Sequence, residues 1–145
     1  MSFEIDVSQV FFMCRVGELL SGAYSEEDRA VKIAWRGVEF RVRKVRVLGW
    51  LRRIRENDRR VVYLLDDGTG EVDLVVWKGD SRGRFEPGVE GGLCEVFAFI
   101  RFWGGGLYLV PYIVVGRELD YQDRWLRRME EVRDYLVSVY KGSEE

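Results

Sequence analysis

Histidine is absent from the sequence, and cysteine and proline occur only twice each. Without histidine there is no Ser–His–Asp triad, no imidazole proton shuttle and no His-containing zinc site. Cys14 and Cys94 lie far apart in apolar surroundings, which suits buried thiols in a reducing compartment, and whether they pair is a question of geometry. No apolar run is long enough to span a bilayer. The stretch from Met1 to Val10 lacks the basic and apolar regions of a signal peptide, so a cytosolic or nuclear chain is expected. An excess of positive charge is also missing. Lys and Arg number 23 against 25 Asp and Glu, a net charge of −2, so long-range attraction of nucleic acid is weak. There is no phosphate-binding glycine loop ending in Lys-Ser or Lys-Thr and no convergent nucleophile. No enzymatic activity, cofactor or bound metal is therefore expected.

What is present is a well-patterned chain. Of 145 residues, 47% are apolar and 33% charged, enough for one domain with its own core and too few for two comfortable ones. Val7, Val10, Phe11 and Cys14, with Asp6 or Ser8 placed to cap, predict a helix over Val7–Leu20, and Ser21–Asp28 reads as a loop. From Val31 the period changes to two. Val31, Ile33 and Trp35, then Val38, Phe40 and Val42, predict a hairpin turning at Arg36–Gly37. Val45, Val47, Gly49 and Leu51 continue on the opposite parity, so the chain must bend or bulge near Arg43–Lys44. A glycine midway along a long strand suits a sharply coiled barrel.

Two tight turns, Glu56–Asp58 and Asp66–Gly70, separate three strands, with Val72, Leu74 and Val76 facing inward on the third. Lys78–Gly92 is glycine-rich and has no helical period. Cys94–Trp103 and Leu107–Val115 form a last hairpin across Gly104–Gly106. A helix capped by Asp120 runs to about Tyr140, with Gly142 beyond it. Five strands with a longer connection before the last hairpin predict an all-β fold, a five-stranded OB barrel with flanking helices, and an SH3-like barrel is the competitor. The expected division is a helix and loop over 1–28, the barrel over 29–117 and a C-terminal pairing helix over 118–145, within one domain.

The stretches Lys44-Val-Arg-Val-Leu-Gly-Trp-Leu51, Val62-Tyr-Leu-Leu-Asp-Asp-Gly-Thr-Gly70 and Val72-Asp-Leu-Val-Val-Trp77 carry a resemblance. They resemble the OB-fold of the middle subunit of replication protein A and are similar to the related OB subunit of the CST telomere-capping complex. Trp35-Arg-Gly-Val38 and Val10-Phe-Phe12 look more like the CST version. The resemblance implies a single-stranded DNA-binding subunit of a hetero-oligomer of OB subunits, with no membrane partner. It also implies base-stacking aromatics at the ends of the third and fourth strands, here Trp77 and Trp103. The departures are a very short Gly104–Gly106 turn and a third connection without a helix, so the N-terminal helix is expected to plug the barrel end.

Period-two counting independently turns Asp73, Val75 and Trp77 outward, and an outward tryptophan at a strand end suits base stacking. The other reading of each tryptophan is a lid packed over the barrel or against a helix. Trp50 is expected to pack on one of the helices. Around the platform, Arg52, Arg53, Arg55, Arg59, Arg60, Lys78 and Arg101 are the candidate phosphate contacts, and ordinary surface charge is the alternative for each. Asp66 and Asp67 are read as turn carboxylates accepting backbone N–H groups rather than as metal ligands. Trp125, Met129, Val132, Leu136 and Val139 recur at four-three spacing, and Tyr140 widens the stripe. This seam is expected to pair with a partner subunit; the alternative is a helix packed only on its own barrel. A structural adaptor with little nucleic-acid contact is the second functional reading, and RNA is not separable from DNA, since stacking does not read the 2′-OH.

Overall fold

Strands in this chain form wherever one face of a period-two run can be buried. The computed structural model describes residues 3–79, 84–85 and 89–144. Its elements are β1 (Phe3–Asp6), β2 (Phe11–Met13), α1 (Val16–Ser21), β3 (Ala23–Ser25), β4 (Ala30–Trp35), β5 (Val38–Val42) and β6 (Lys44–Glu56). They continue as β7 (Arg60–Asp66), β8 (Glu71–Trp77), β9 (Arg84–Phe85), β10 (Leu93–Trp103), β11 (Gly106–Gly116) and α2 (Tyr121–Glu144). No described helix is long and apolar enough to cross a membrane.

Five strands close a barrel in the cyclic order β6-β7-β8-β11-β10, with β10 returning to pair with β6. All neighbours are antiparallel except β8 and β11, which meet in parallel at Leu74 and Leu109. Val45, Val47, Leu51, Leu65, Leu74, Val96, Ala98, Ile100 and Leu109 point inward and are buried in a single core. Gly49 sits where β6 is squeezed against β7. A Cβ there would lie 2.9 Å from the Asp66 carbonyl oxygen, which is why the coiling strand has a glycine at this point. The inward parity shifts at Arg43, between Val42 and Val45, as the sequence pattern requires.

The hairpin of β4 and β5 turns at Arg36 and Gly37, with φ of 48° and 79°, the left-handed pair of a tight two-residue turn. It belongs to a second sheet of order β1-β5-β4-β3. The N-terminal segment differs from expectation. Only Val16–Ser21 is helical; residues further upstream form β1, parallel to β5, and β2, parallel to β6. The reason lies in the same apolar residues. Phe11, Phe12 and Met13 pair with Lys44, Val45 and Arg46, so Phe12 enters the main core and Met13 packs under α2. Val10, which a helix would place on one face with Cys14, is exposed. Asp6 does cap, but it caps a turn, accepting the Ser8 N–H at 2.9 Å. Part of the expected 21–28 loop is β3, paired with β4.

Short as it is, α1 covers one barrel end. Val16 and Leu19 are fully buried in the core. The Asp66–Gly70 turn fastens the helix there: the Val16 N–H donates to Asp67 Oδ2 and the Gly17 N–H to Thr69 Oγ1, both at 2.8 Å. The same carboxylates hold the turn itself, Asp66 accepting the Gly68 N–H at 2.8 Å and Asp67 the Thr69 N–H at 2.9 Å.

The first N–H groups of α2 go to carbonyls, Tyr121 to Glu118 and Gln122 to Leu119, and the helix continues past Tyr140 and Gly142 to Glu144. Cys14 and Cys94 are both buried and free, and burial pushes the Cys94 thiol up to about 12. Within the glycine-rich Lys78–Gly92 segment, residues 80–83 and 86–88 lie outside the described residues, and the rest includes β9, which pairs with Ile113 and Val114.

Candidate nucleic-acid interface

Outward side chains of β7 and β8, together with the tip of the β10–β11 hairpin, enclose a cleft of about 480 Å³. Val62 and Val75 make its apolar floor, Trp77 stands at one end and Trp103 at the other, and Leu107 and Tyr108 complete the wall. Trp77 is 39% exposed and Trp103 is 82% exposed, so neither is a lid buried over the barrel. The Arg60 guanidinium lies 5.6 Å over the Trp77 ring, a cation–π contact that also holds positive charge at the cleft. Arg55 lies 3.8 Å from Asp73, so the one carboxylate of the lining is matched by a guanidinium. The lining has no nucleophile with a neighbouring base. It offers flat apolar surfaces and cationic edges, the chemistry that binds a base and its phosphate.

The hairpin tip is held from outside the barrel. Tyr24 of β3 stacks on Phe102 with ring centroids 5.0 Å apart, and its hydroxyl donates a hydrogen bond to the Gly105 carbonyl. This anchor of Trp103 was not foreseen, because Tyr24 lies in a segment read as loop. Its only signal was a lone aromatic among small polar residues.

Of the predicted basic contacts, Arg55 and Arg60 line the cleft and the others do not. Arg53 is held by Glu56 and Glu90, and Lys78 by Glu56 at 2.8 Å. Arg52 and Arg59 are exposed near the far end of β6 and its turn. Arg101 lies on β10, its guanidinium 5.4 Å over the Phe99 ring. Trp50 is 43% exposed on β6, opposite Asp66 and Leu93.

The helix seam also differs in use. Trp125 and Met129 are buried against Met13, Leu48 and Leu93 of the chain's own barrel, with Val132 packed beside them. Leu136 and Tyr140 pack against the main core, which leaves Val139 exposed. The seam turns inward because a charged core fixes it there. Glu95, fully buried, accepts hydrogen bonds from Arg46, from Arg117 at 2.8 Å and from the Trp125 indole at 3.0 Å. Burial would push its carboxyl up, but the hydrogen bonds and charges of Arg46 and Arg117 hold it below the ordinary value. Further along, Arg133 is 1% exposed and forks onto Glu18, both contacts at 2.8 Å, while donating to the Met13 carbonyl at 3.0 Å.

No protein-family model and no curated protein matches the chain significantly. Solved structures do. A chain of a replication protein A heterotrimer bound to ssDNA superposes with a TM-score of 0.60 at 18% identity, over 88% of this chain and 96% of that one. A chain of the S. pombe Stn1–Ten1 complex gives 0.65 at 15% identity, over 92% of this chain and 96% of that one. This chain has an OB fold. Within the OB barrel, β6, β7 and β8 are the first three strands, β10 and β11 the last two, and the Trp77–Trp103 cleft lies across the outer face of the second and third.

Proposed function

We propose that this OB barrel binds single-stranded DNA by stacking bases on Trp77 and Trp103, as a subunit of a replication protein A-like or CST-like complex in replication, repair or end protection. The observation that carries this reading is the cleft itself: two accessible indoles face one apolar floor, with Arg55 and Arg60 at its edge. Stacking contributes about 1–3 kcal/mol per base, so two platforms supply about 2–6 kcal/mol. That corresponds to a Kd no tighter than roughly tens of micromolar for the barrel alone. Useful affinity then comes from linking this barrel to others in an assembly. Stacking tolerates RNA as well.

The test is a tryptophan fluorescence titration with a dT oligonucleotide at low salt, wild type against Trp77→Ala/Trp103→Ala. Saturable quenching that disappears in the double variant supports the reading. Equal oligonucleotide affinity in the two proteins, measured by anisotropy of a labelled strand, overturns it.

A second reading, a structural adaptor, is favoured by one observation. With Trp125 and Met129 turned inward, the flank of α2 carrying Val132, Tyr135 and Val139 remains, and Tyr135 and Val139 are exposed at helical spacing. An adaptor would dock partner OB subunits on that flank. Tyr135→Glu should then abolish copurification of the partner while leaving oligonucleotide affinity unchanged; retained copurification would count against it.

A further inference from the structure

A second basic hollow lies outside the cleft, where the start of α2 crosses β6. It encloses about 350 Å³ and is lined by Arg46, Tyr121, Arg124, Arg127, Arg128 and Glu131. Three guanidiniums, those of Arg124, Arg127 and Arg128, thus face one exposed carboxylate, while Arg46 is already paired with Glu95. Arg124 lies 5.4 Å over the Tyr121 ring, and among the described residues no carboxylate lies within ion-pair distance of Arg124, Arg127 or Arg128. Other arginines are treated differently: Arg36 lies within 4.0 Å of Glu130 and Asp134, and Arg41 is 3.5 Å from Asp6. Glu95 does not neutralise the hollow, because its charge is already matched by Arg46 and Arg117 beneath it. Clustered, unpaired, forked donors of this kind are suited to phosphate oxygens.

The hollow is connected to the cleft by a row of side chains on the outer side of β10. Cys94, Val96, Ala98 and Ile100 point into the barrel, so Phe97, Phe99, Arg101 and Trp103 line the outside. Arg46 lies 5.1 Å over Phe97 and Arg101 5.4 Å over Phe99, so cations alternate with rings along the row. Tyr112 is added to it by a bulge in β11 opposite Phe97 and Ala98, which turns the extra residue outward beside Phe99. From Trp103 to Glu95 the row is about 26 Å long at about 3.3 Å per residue. Phe11 packs on Phe97, Phe99 and Tyr112 with ring centroids 5.7 Å away. Along this row a nucleic-acid strand would therefore be held by its backbone, on the cations of Arg101 and Arg46, and by contact with the edge of the aromatic cluster. Half-exposed Tyr112 is the most accessible ring of that cluster.

We infer that the Arg124–Arg127–Arg128 hollow binds backbone phosphates of a single-stranded nucleic acid that leaves the Trp77–Trp103 cleft along the outer side of β10. This inference rests on the stacking reading of the cleft. The test compares a dT strand of about four nucleotides with one of about sixteen, the span of OB-barrel site sizes. Each is titrated by anisotropy over a range of salt against wild type and Arg124→Gln/Arg127→Gln/Arg128→Gln. The triple variant should weaken the long strand on the order of tenfold and lower its salt slope by about 2, at about 0.7 per phosphate contact, while the short strand is unchanged. Arg127→Gln/Arg128→Gln, which leaves Arg124 on Tyr121, is the second variant, with an expected slope loss of about 1.4.

Equal long-strand affinity and slope in wild type and both variants overturns the inference and leaves the stacking reading standing. Long-strand binding that survives Trp77→Ala/Trp103→Ala yet is lost in the arginine variants shows a hollow that binds without the cleft, and overturns both the stacking reading and the inferred path from the cleft. Arginine-dependent binding of a polyglutamate peptide, with no arginine dependence for dT, assigns the hollow to an acidic protein segment and overturns the inference.

Discussion

The indole N–H of Trp125 donates a 3.0 Å hydrogen bond to the carboxylate of Glu95, which joins the C-terminal helix to the fourth strand of the barrel inside the protein. Arg46 and Arg117 reach the same carboxylate. Glu95→Ala would leave two guanidiniums and an indole without their acceptor at a buried site. The expected cost is about 3–5 kcal/mol, read from the denaturation midpoint at constant m-value. A loss under about 1 kcal/mol would show that the network merely tolerates the carboxylate.

The same network sets an acid limit on stability. Glu95 and Glu18 both have folded-state pKa values below the ordinary value near 4.5, Glu95 through Arg46 and Arg117 and Glu18 through Arg133 and the Arg15 N–H, each against the upward push of burial. A depressed carboxyl binds fewer protons when folded than when unfolded. Its stabilisation is therefore complete above the unfolded pKa and is lost as pH falls through the folded one. Unfolding free energy should be flat above about pH 5 and fall below about pH 4. Glu95→Gln should flatten that acid limb, and an unchanged limb in this variant would remove Glu95 as its cause.

Arg133 and Glu18 should be strongly coupled. Arg133 is almost wholly buried, over the rings of Phe12 at 4.9 Å and Trp35 at 5.6 Å, and its fork on Glu18 ties α2 to α1. Arg133→Met alone leaves the half-buried Glu18 carboxylate without its cation, whereas Arg133→Met/Glu18→Gln removes both charges together. The double variant should be less destabilised than the sum of the singles, with an interaction of about 1–3 kcal/mol in a denaturation cycle. Additive losses would mean the pair contributes only packing.

The barrel was legible because each of its strands buries one face, so the period-two runs from Val31 to Val115 mark both strands and turns. The parity change at Arg43 and the glycine at position 49 were readable for the same reason. The expected Val7–Leu20 helix holds only from Val16, because Val7, Val10, Phe11 and Cys14 fit a helical stripe while parallel pairing with β5 and β6 extends the chain before it. The outward exposure of Trp77 and Trp103 was legible from parity and position. Which basic side chains stand beside them was not, since the pairs of Arg53 with Glu90 and of Lys78 with Glu56 join residues far apart in sequence. The helix stripe was correctly seen as apolar, but its partner was hidden: Glu95, a lone carboxylate within the apolar run Leu93–Ile100, was the signal that α2 docks at home.

Tyr24→Phe isolates the anchor of the hairpin tip. The ring can still stack on Phe102, but the hydrogen bond to the Gly105 carbonyl is gone. Global stability should change by less than about 1 kcal/mol, since the site is exposed. Amide exchange at residues 104–106 should quicken several-fold and oligonucleotide affinity should fall modestly as Trp103 becomes less ordered. Unaltered exchange at the tip would show that stacking on Phe102 suffices to hold it.

Single substitutions at the two indoles should separate binding from folding. Trp103 is 82% exposed at a turn, so Trp103→Ala should move stability by no more than about 0.5 kcal/mol. Trp77 is only 39% exposed and carries the Arg60 contact, so Trp77→Ala should also cost some stability, about 1–2 kcal/mol. In binding, each variant should lose about 1–3 kcal/mol if each indole stacks one base. Trp103→Phe should recover part of that loss, because a smaller ring still presents a π-face, whereas Trp103→Leu of similar apolar character should not. Equal recovery by phenylalanine and leucine would mean that the hairpin tip contributes apolar contact rather than stacking, and the platform would then reduce to Trp77 alone.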